Sequence, residues 1–203
     1  VISDGRTAAA ELCLASASKG TKQTTQINGA NLPLALLNRF RSAEVAERIW
    51  GLATLNSTIV YDTETWTLDH TEGNVGSERT VLFALDEEVS TRFEYWRINW
   101  AGNTESIKAE VTAELEDDRG LVIGDITISD LTDVAALKGE IIMELHDLTV
   151  LQWVLPDLRN EEAQALALIT IGGNAKAPEI TGSVELAAKE IGFAQSGLLL
   201  TDV

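Results

Sequence analysis

The chain has 203 residues, 45% of them hydrophobic, enough for one sizeable folded unit and too apolar for a disordered segment. Its 32 acidic and 15 basic residues leave a net charge of −17, which argues against nucleic acid and against electrostatic docking on anionic lipid headgroups. No apolar run approaches the ~18 residues of a membrane-spanning helix, and Cys13 is the one cysteine, so neither an internal disulfide nor a multi-cysteine metal cluster can form.

In chain order, residues 8–14 predict a first short strand and residues 21–27 a second, with a turn over 16–20. Cys13, between Leu12 and Leu14, is expected to be a buried small hydrophobe. Residues 31–37 predict about two helical turns, with Pro33 tolerated in the first turn and Leu36, Leu37 and Phe40 on one side. Residues 42–49 fit a helical face through Val45 and Ile49, whereas from Trp50 onward Leu52, Leu55, Ile59 and Tyr61 are spaced as in a strand. Two further strands, 63–68 and 80–85, flank an expected turn at 72–77. Along 92–100 the apolar positions change parity near Tyr95 and Trp96, which predicts a β-bulge or a strand apolar on both sides.

Residues 107–115 alternate cleanly: Ile107, Ala109, Val111, Ala113 and Leu115 face one way, Lys108, Glu110, Thr112 and Glu114 the other. The Asp117-Asp118-Arg119-Gly120 turn joins them to a strand over 121–128, where a second parity break is expected at Gly124. Residues 140–145 set Ile141, Met143 and Leu145 against Glu140 and Glu144. A short helix follows, capped by Asp147, with Leu148, Leu151 and Leu155 on one face and Pro156 at its end. It echoes the earlier leucine-rich helix, a weak long-period repeat. Residues 163–171, a Gly172-Gly173-Asn174 turn, residues 180–186 and residues 198–203 complete about a dozen strands. No helix is long enough for βαβ crossovers, so residues 1–203 read as a single, mainly β unit whose sheet is antiparallel or nearly so.

No catalytic constellation stands out, and an enzyme is not expected. His70 and His146 lie at no metal-ligand spacing and beside no nucleophile motif, and a hairpin turn accounts for the Asp117-Asp118 pair better than a cation loop does. The glycine pairs precede no phosphate-binding helix, so neither a cofactor nor a metal is implied. The five tryptophans read as core or bulge packing rather than a carbohydrate platform.

The segment 172–186, GGNAKAPEITGSVEL, resembles the recurring apolar-strand, small-residue-turn, Ala-Pro and Gly-containing-strand signature of the TamB family, relatives of the AsmA-like proteins. Residues 147–156 are similar to the leucine-rich helix that precedes this signature, and residues 198–203 to the strand that follows it. The departure is Gly173-Asn174, where the family has Gly-Thr or Gly-Ser. On this likeness the chain reads as an excised fragment of the C-terminal region of such a protein. The resemblance implies a long sheet curled into an open U, the β-taco, with an apolar inner groove and one or two short helices at its ends or rim. By composition alone, a closed sandwich or barrel would bury the same faces as core.

The resemblance further implies a periplasmic protein, anchored in the inner membrane by a segment outside this chain, that carries phospholipid acyl chains to the outer membrane. Its implied partner is the outer-membrane Omp85-type subunit TamA. The alternative is a scaffold that takes nascent outer-membrane β-strands by edge addition, and exposed sheet edges would also favour edge-to-edge dimers of the chain. Alternation assigns the groove-facing, lipid-binding positions to Val111, Ala113, Leu115, Ile126, Ile128, Ile141, Met143, Leu145, Leu166, Leu168, Val184 and Leu186.

Overall fold

Period-2 alternation and scarce proline favour uninterrupted hydrogen-bonded ladders. The structure, a computed structural model, describes residues 9–39, 48–83, 90–131, 135–151, 158–193 and 198–202. Its strands are β1 (Glu11–Lys19), β2 (Lys22–Pro33), β3 (Arg48–Asp62), β4 (Leu68–Phe83), β5 (Ser90–Gly102), β6 (Ser106–Leu115) and β7 (Gly120–Ser129). β8 (Ala136–Leu145), β9 (Leu158–Glu161), β10 (Gln164–Asn174), β11 (Ala177–Ala187), β12 (Glu190–Phe193) and β13 (Leu198–Thr201) follow. Ten of them form one antiparallel meander, ordered β1 to β8, then β10 and β11, open at both ends. The remaining three, ordered β13-β12-β9, make a small second sheet. The mainly β, open and curled architecture expected from the sequence is the one observed.

Several boundaries differ from expectation for identifiable reasons. β1 runs on to Lys19, and Gly20, at φ +63°, makes the turn with Thr21. The first helix is a 3₁₀ turn, Leu34–Arg39, because β2 extends through Pro33; the second is the 3₁₀ turn Leu148–Leu151. The helical reading of 42–49 falls mostly outside the described residues, as do the end of the strand expected at 80–85 and residues 152–157. Residues 63–67 are a turn rather than a strand. Asp62 accepts hydrogen bonds there from the Thr65 and Glu64 amides at 2.9 Å each, and Trp66 stacks on Tyr61. The expected turn at 72–77 lies inside β4. Gly73 is needed there for packing, since a Cβ on it would come 2.4 Å from Trp100.

The bulge expected in β5 is present: the β5–β6 register shifts between Phe93 and Tyr95. The break expected at Gly124 is absent, because β7 keeps an unshifted register with both β6 and β8. The Gly172–Asn174 turn moves to Ala175–Lys176, where Asn174 Oδ1 accepts from the Lys176 and Ala177 amides at 3.0 Å each. Residues 198–201 do form a strand, but in the second sheet, with β9 and β12, which alternation did not reveal.

The two rims of the large sheet are unlike. On one, β2 and β3 are linked through the first 3₁₀ turn, and β8 and β10 through the second together with β9. There Leu115 and Leu145, at strand ends, join Leu148, Val150, Leu158, Ala163, Ala188 and Ile191 in a buried cluster, flanked by Phe93 and Ala165. Thr91 Oγ1 donates to the Val150 carbonyl at 2.8 Å and fixes this cap to β5. On the opposite rim the strands turn through short connections at 20–21, 63–67, 103–105 and 175–176.

Candidate functional site: an apolar trough

In an antiparallel pair, residues opposite each other share a face, so the register maps each face across all ten strands. One row runs Leu12, Gly29, Leu55, Val75, Ile98, Val111, Gly124, Ile141, Ile169, Gly182, one residue per strand. No side chain in that row carries a polar atom. The next row, Leu14, Ile27, Ser57, Gly73, Trp100, Ala109, Ile126, Gly139, Ile171, Ile180, contains a single hydroxyl, that of Ser57. At no paired position of the sheet does an Asp, Glu, Lys or Arg share this face. At ~4.8 Å per strand, nine spacings make it about 43 Å long.

This face is the inner one: the buried cap cluster sits on it, and along β10 its residues Ala165, Ala167 and Ile169 are half-buried while their neighbours in sequence are exposed. It changes character along its length. On β2 to β4 it includes Thr25, Ser57, Thr71, Ser77 and Thr80; on β6 to β8 it is aliphatic or glycine throughout. Between these stretches stand Trp96 and Trp100 of β5, the former donating from Nε1 to Thr80 Oγ1 at 2.8 Å.

Ten of the twelve residues assigned to the groove from alternation lie on this face: Val111, Ala113, Leu115, Ile126, Ile128, Ile141, Met143, Leu145, Val184 and Leu186. Leu166 and Leu168 do not. They pair with Glu144 and Ile142 on β8 and with Glu185 and Ser183 on β11, which puts them on the outer face, 44% and 39% exposed. Ala165, Ala167 and Ile169 occupy the inner positions instead. The error is one of parity. Residues 165–169 are apolar at every position, so alternation carries no information there, and only the register set by the 175–176 turn decides. Alternation also missed Leu55, Val75, Ile98 and the small residues Gly29, Gly124 and Gly182 that complete the floor.

The outer face carries the charge. A ladder of Asn28, Asn56, Asn74 and Asn99 continues into Glu110, Asp125 and Glu140, all in register. Asn56 Nδ2 donates to Asn74 Oδ1 at 3.3 Å. Lys108 pairs with Glu110 at 3.0 Å, and that hydrogen bond and charge hold its ammonium pKa above the usual value. His146, at the end of β8, contacts Glu144 Oε1 at 3.0 Å and the Asp118 carbonyl at 2.8 Å, which raise its pKa, the Glu144 bond foremost. Both His70 and His146 are surface residues. Cys13 is exposed rather than buried, because β1 is an edge strand and none of the described residues covers its outer side. A hollow of about 970 Å³ on the outer face is lined by polar groups such as Asn31, Thr54, Glu78, Arg97, Asn99 and Thr112, a surface unsuited to hydrocarbon.

An open antiparallel sheet, apolar along one face and charged along the other and capped on one rim, defines the class: a mainly β protein built around one long apolar sheet face. The chain belongs to the TamB family, for residues 6–186 match the model described as TamB, N-terminal domain. That match places the resemblance in the N-terminal domain, not in the C-terminal region inferred from the sequence. Comparisons with curated proteins and with solved structures gave no match.

Proposed function

We propose that this chain is a non-enzymatic lipid conduit, a segment of a TamB-like periplasmic protein whose trough carries phospholipid acyl chains between the inner and outer membranes. The observation that carries the reading is the uncharged inner face, with its wholly apolar ten-residue row from Leu12 to Gly182. Moving a chain of about 16 methylenes from hydrocarbon into water costs on the order of 13 kcal/mol, at ~0.8 kcal/mol per methylene. A dry, aliphatic floor offsets most of that cost, and no ionic partner inside the trough is required because the headgroup can remain in water at the open rim. An acyl chain occupies about half of a ~30 Å hydrocarbon core, so one chain fits lengthwise with room to advance. In the full-length protein, further sheet would extend the channel and an Omp85-type partner such as TamA would receive it at the outer membrane. The inner-membrane anchor belongs to that same reading.

The test is lipid capture. A photo-crosslinking residue at Met143, on the inner face, should trap co-purifying phospholipid, and the same residue at the neighbouring outer position Glu144 should not. Lipid at both positions or at neither, in a folded protein, would overturn the conduit.

A second reading is supported by the unpaired edges of β1 and β11, which could accept an outer-membrane β-strand. It differs in its sensitivity: strand addition depends on edge backbone and tolerates inner-face polar changes that preserve folding, whereas lipid carriage does not.

A further inference from the structure

The two residues that leave the trough, Leu166 and Leu168, have company on the outer face. In one register row Ile123, Ile142 and Leu168 are adjacent on β7, β8 and β10; in the next, Leu121 and Leu166 alternate with Glu114, Glu144 and Glu185. Ile123 is 40% exposed, Leu166 44% and Leu168 39%. The row beyond, Glu110, Asp125 and Glu140, closes the other side. Five aliphatic side chains therefore form one outward patch enclosed by six carboxylates. Glu110 is neutralised by Lys108, whose charge also acts on Asp125, and Glu144 is engaged by His146, while Glu114, Glu140 and Glu185 have no cationic partner among the described residues.

Isolated surface leucines need no explanation, but a contiguous apolar patch with a charged border has the anatomy of a docking surface. The border selects the occupant. A second copy would bring an identical acidic ring against this one, and an anionic membrane surface would be repelled in the same way. The patch spans three strands, about 10 Å across at ~4.8 Å per strand, which matches the ~10 Å diameter of one helix. We propose that the outer face of β7, β8 and β10 docks a partner protein through an amphipathic helix whose apolar stripe covers Ile123, Ile142 and Leu168 and whose flanking lysines or arginines meet the carboxylates. This surface is independent of the trough, which faces the opposite way.

The probe is a fluorescent amphipathic helical peptide of about 18 residues, some 27 Å long, with leucines on one face and lysines on the other; a matched peptide carries glutamates in place of the lysines. Anisotropy should report saturable binding of the lysine peptide, weakened as salt rises from about 0.05 to 0.5 M, and none of the glutamate peptide. Leu168→Glu should weaken it about tenfold or more. The double variant Glu140→Lys/Glu185→Lys, which alters only exposed charge and leaves folding intact, should do so by a similar factor. Ile141→Asn, on the trough floor, should change it less than about twofold. Circular dichroism confirms folding of each variant. Absence of saturable binding, equal binding of the glutamate peptide, or loss in Ile141→Asn with retention in Leu168→Glu would each overturn the proposal. Self-association abolished by Leu168→Glu would likewise overturn it, in favour of a second copy.

Discussion

Replacing Ile141 by glutamate puts one carboxylate on the trough floor, two strands from its β11 end, and the register sets what that should do. Ile141 sits on β8 between Gly124 and Ile169. From Ile141 the floor runs seven strand spacings to Leu12, about 34 Å, on one side and two to Gly182, about 10 Å, on the other. A carboxylate would keep its water rather than shed it, since desolvation costs several kcal/mol. The floor around β8 would therefore be wet, and an acyl chain crossing it would expose about three methylenes. At ~0.8 kcal/mol each this is about 2 kcal/mol, roughly thirtyfold in occupancy of the crossing position. Phospholipid transfer between donor and acceptor vesicles by the full-length protein should fall by about that factor. Photo-crosslinking probes at Val75 and Ile169, on opposite sides of the block, should no longer both capture lipid. Glu140→Lys, one residue away on the outer face, is the control and should leave transfer unchanged. Unaltered transfer in Ile141→Glu, or an equal fall in Glu140→Lys, would refute the argument that lipid moves along this row.

His146 should make the fold pH-sensitive. Glu144 and the Asp118 carbonyl raise its pKa above the ordinary ~6.5, so its stabilisation is complete below that value and is lost as pH rises through the higher folded one. Melting temperatures on either side of neutrality should differ less in His146→Gln than in the parent. Asp62 works in the opposite direction. Hydrogen bonds from the Thr65 amide, the Thr21 hydroxyl and the Glu64 amide hold its pKa down at about 2. Its contribution is therefore present above its ordinary value near 3.8 and fades as pH falls toward 2. Asp62→Ala should lower the melting temperature at neutral pH and make little difference near pH 2. In Gly73→Val, a Cβ would lie 2.4 Å from Trp100 and 2.5 Å from the Asn56 carbonyl oxygen. Overpacking of this kind costs about 1–3 kcal/mol, read by denaturant titration and by a changed near-ultraviolet tryptophan signal.

The strands of the large sheet were legible because a half-buried antiparallel strand writes its pleat into the sequence with period 2, most clearly over Ile107 to Leu115. The parity change between Phe93 and Trp96 was legible as a bulge for the same reason: one inserted residue is the simplest way to keep both rings on one face. Where apolar residues are consecutive, as in Leu121-Val122-Ile123 and across 165–169, the pattern has no phase. Register alone then decides, and register is set by turns whose positions were misjudged by two residues. The Gly73, Asn74 and Gly76 composition that indicates a turn equally suits a strand that must pass beneath Trp100 and contribute to an asparagine ladder. β9 and β12, of four residues each, are too short to show a period at all. Cys13 was misplaced because sequence marks an apolar neighbourhood but not an edge.

The asymmetry of the rims carries the lipid reading one step further. The three 3₁₀ turns, Leu34–Arg39, Glu116–Asp118 and Leu148–Leu151, and the small sheet lie along one rim, where Leu115, Leu145 and Phe93 close the strand ends under Leu148 and Val150. A zwitterionic or anionic headgroup emerging there would have to displace buried aliphatic side chains, whereas at the opposite rim it meets short turns and water. Five of the chain's six lysines lie at or near that open rim: Lys19, Lys22, Lys108, Lys138 and Lys176. Lys22 is held by Asp69 at 2.7 Å and Lys108 by Glu110, but Lys19, Lys138 and Lys176 have no ionic partner among the described residues. Lysine stems reach along apolar surface while their ammonium groups stay in water. On a protein of net charge −17, these ammonium groups gather positive charge near the open rim, with Lys19 and Lys138 on the outer side of the sheet. The cap and the open rim would thus orient a lipid within the trough, tail along the strand-crossing axis and headgroup to one side, without any charged group on the path of the tail.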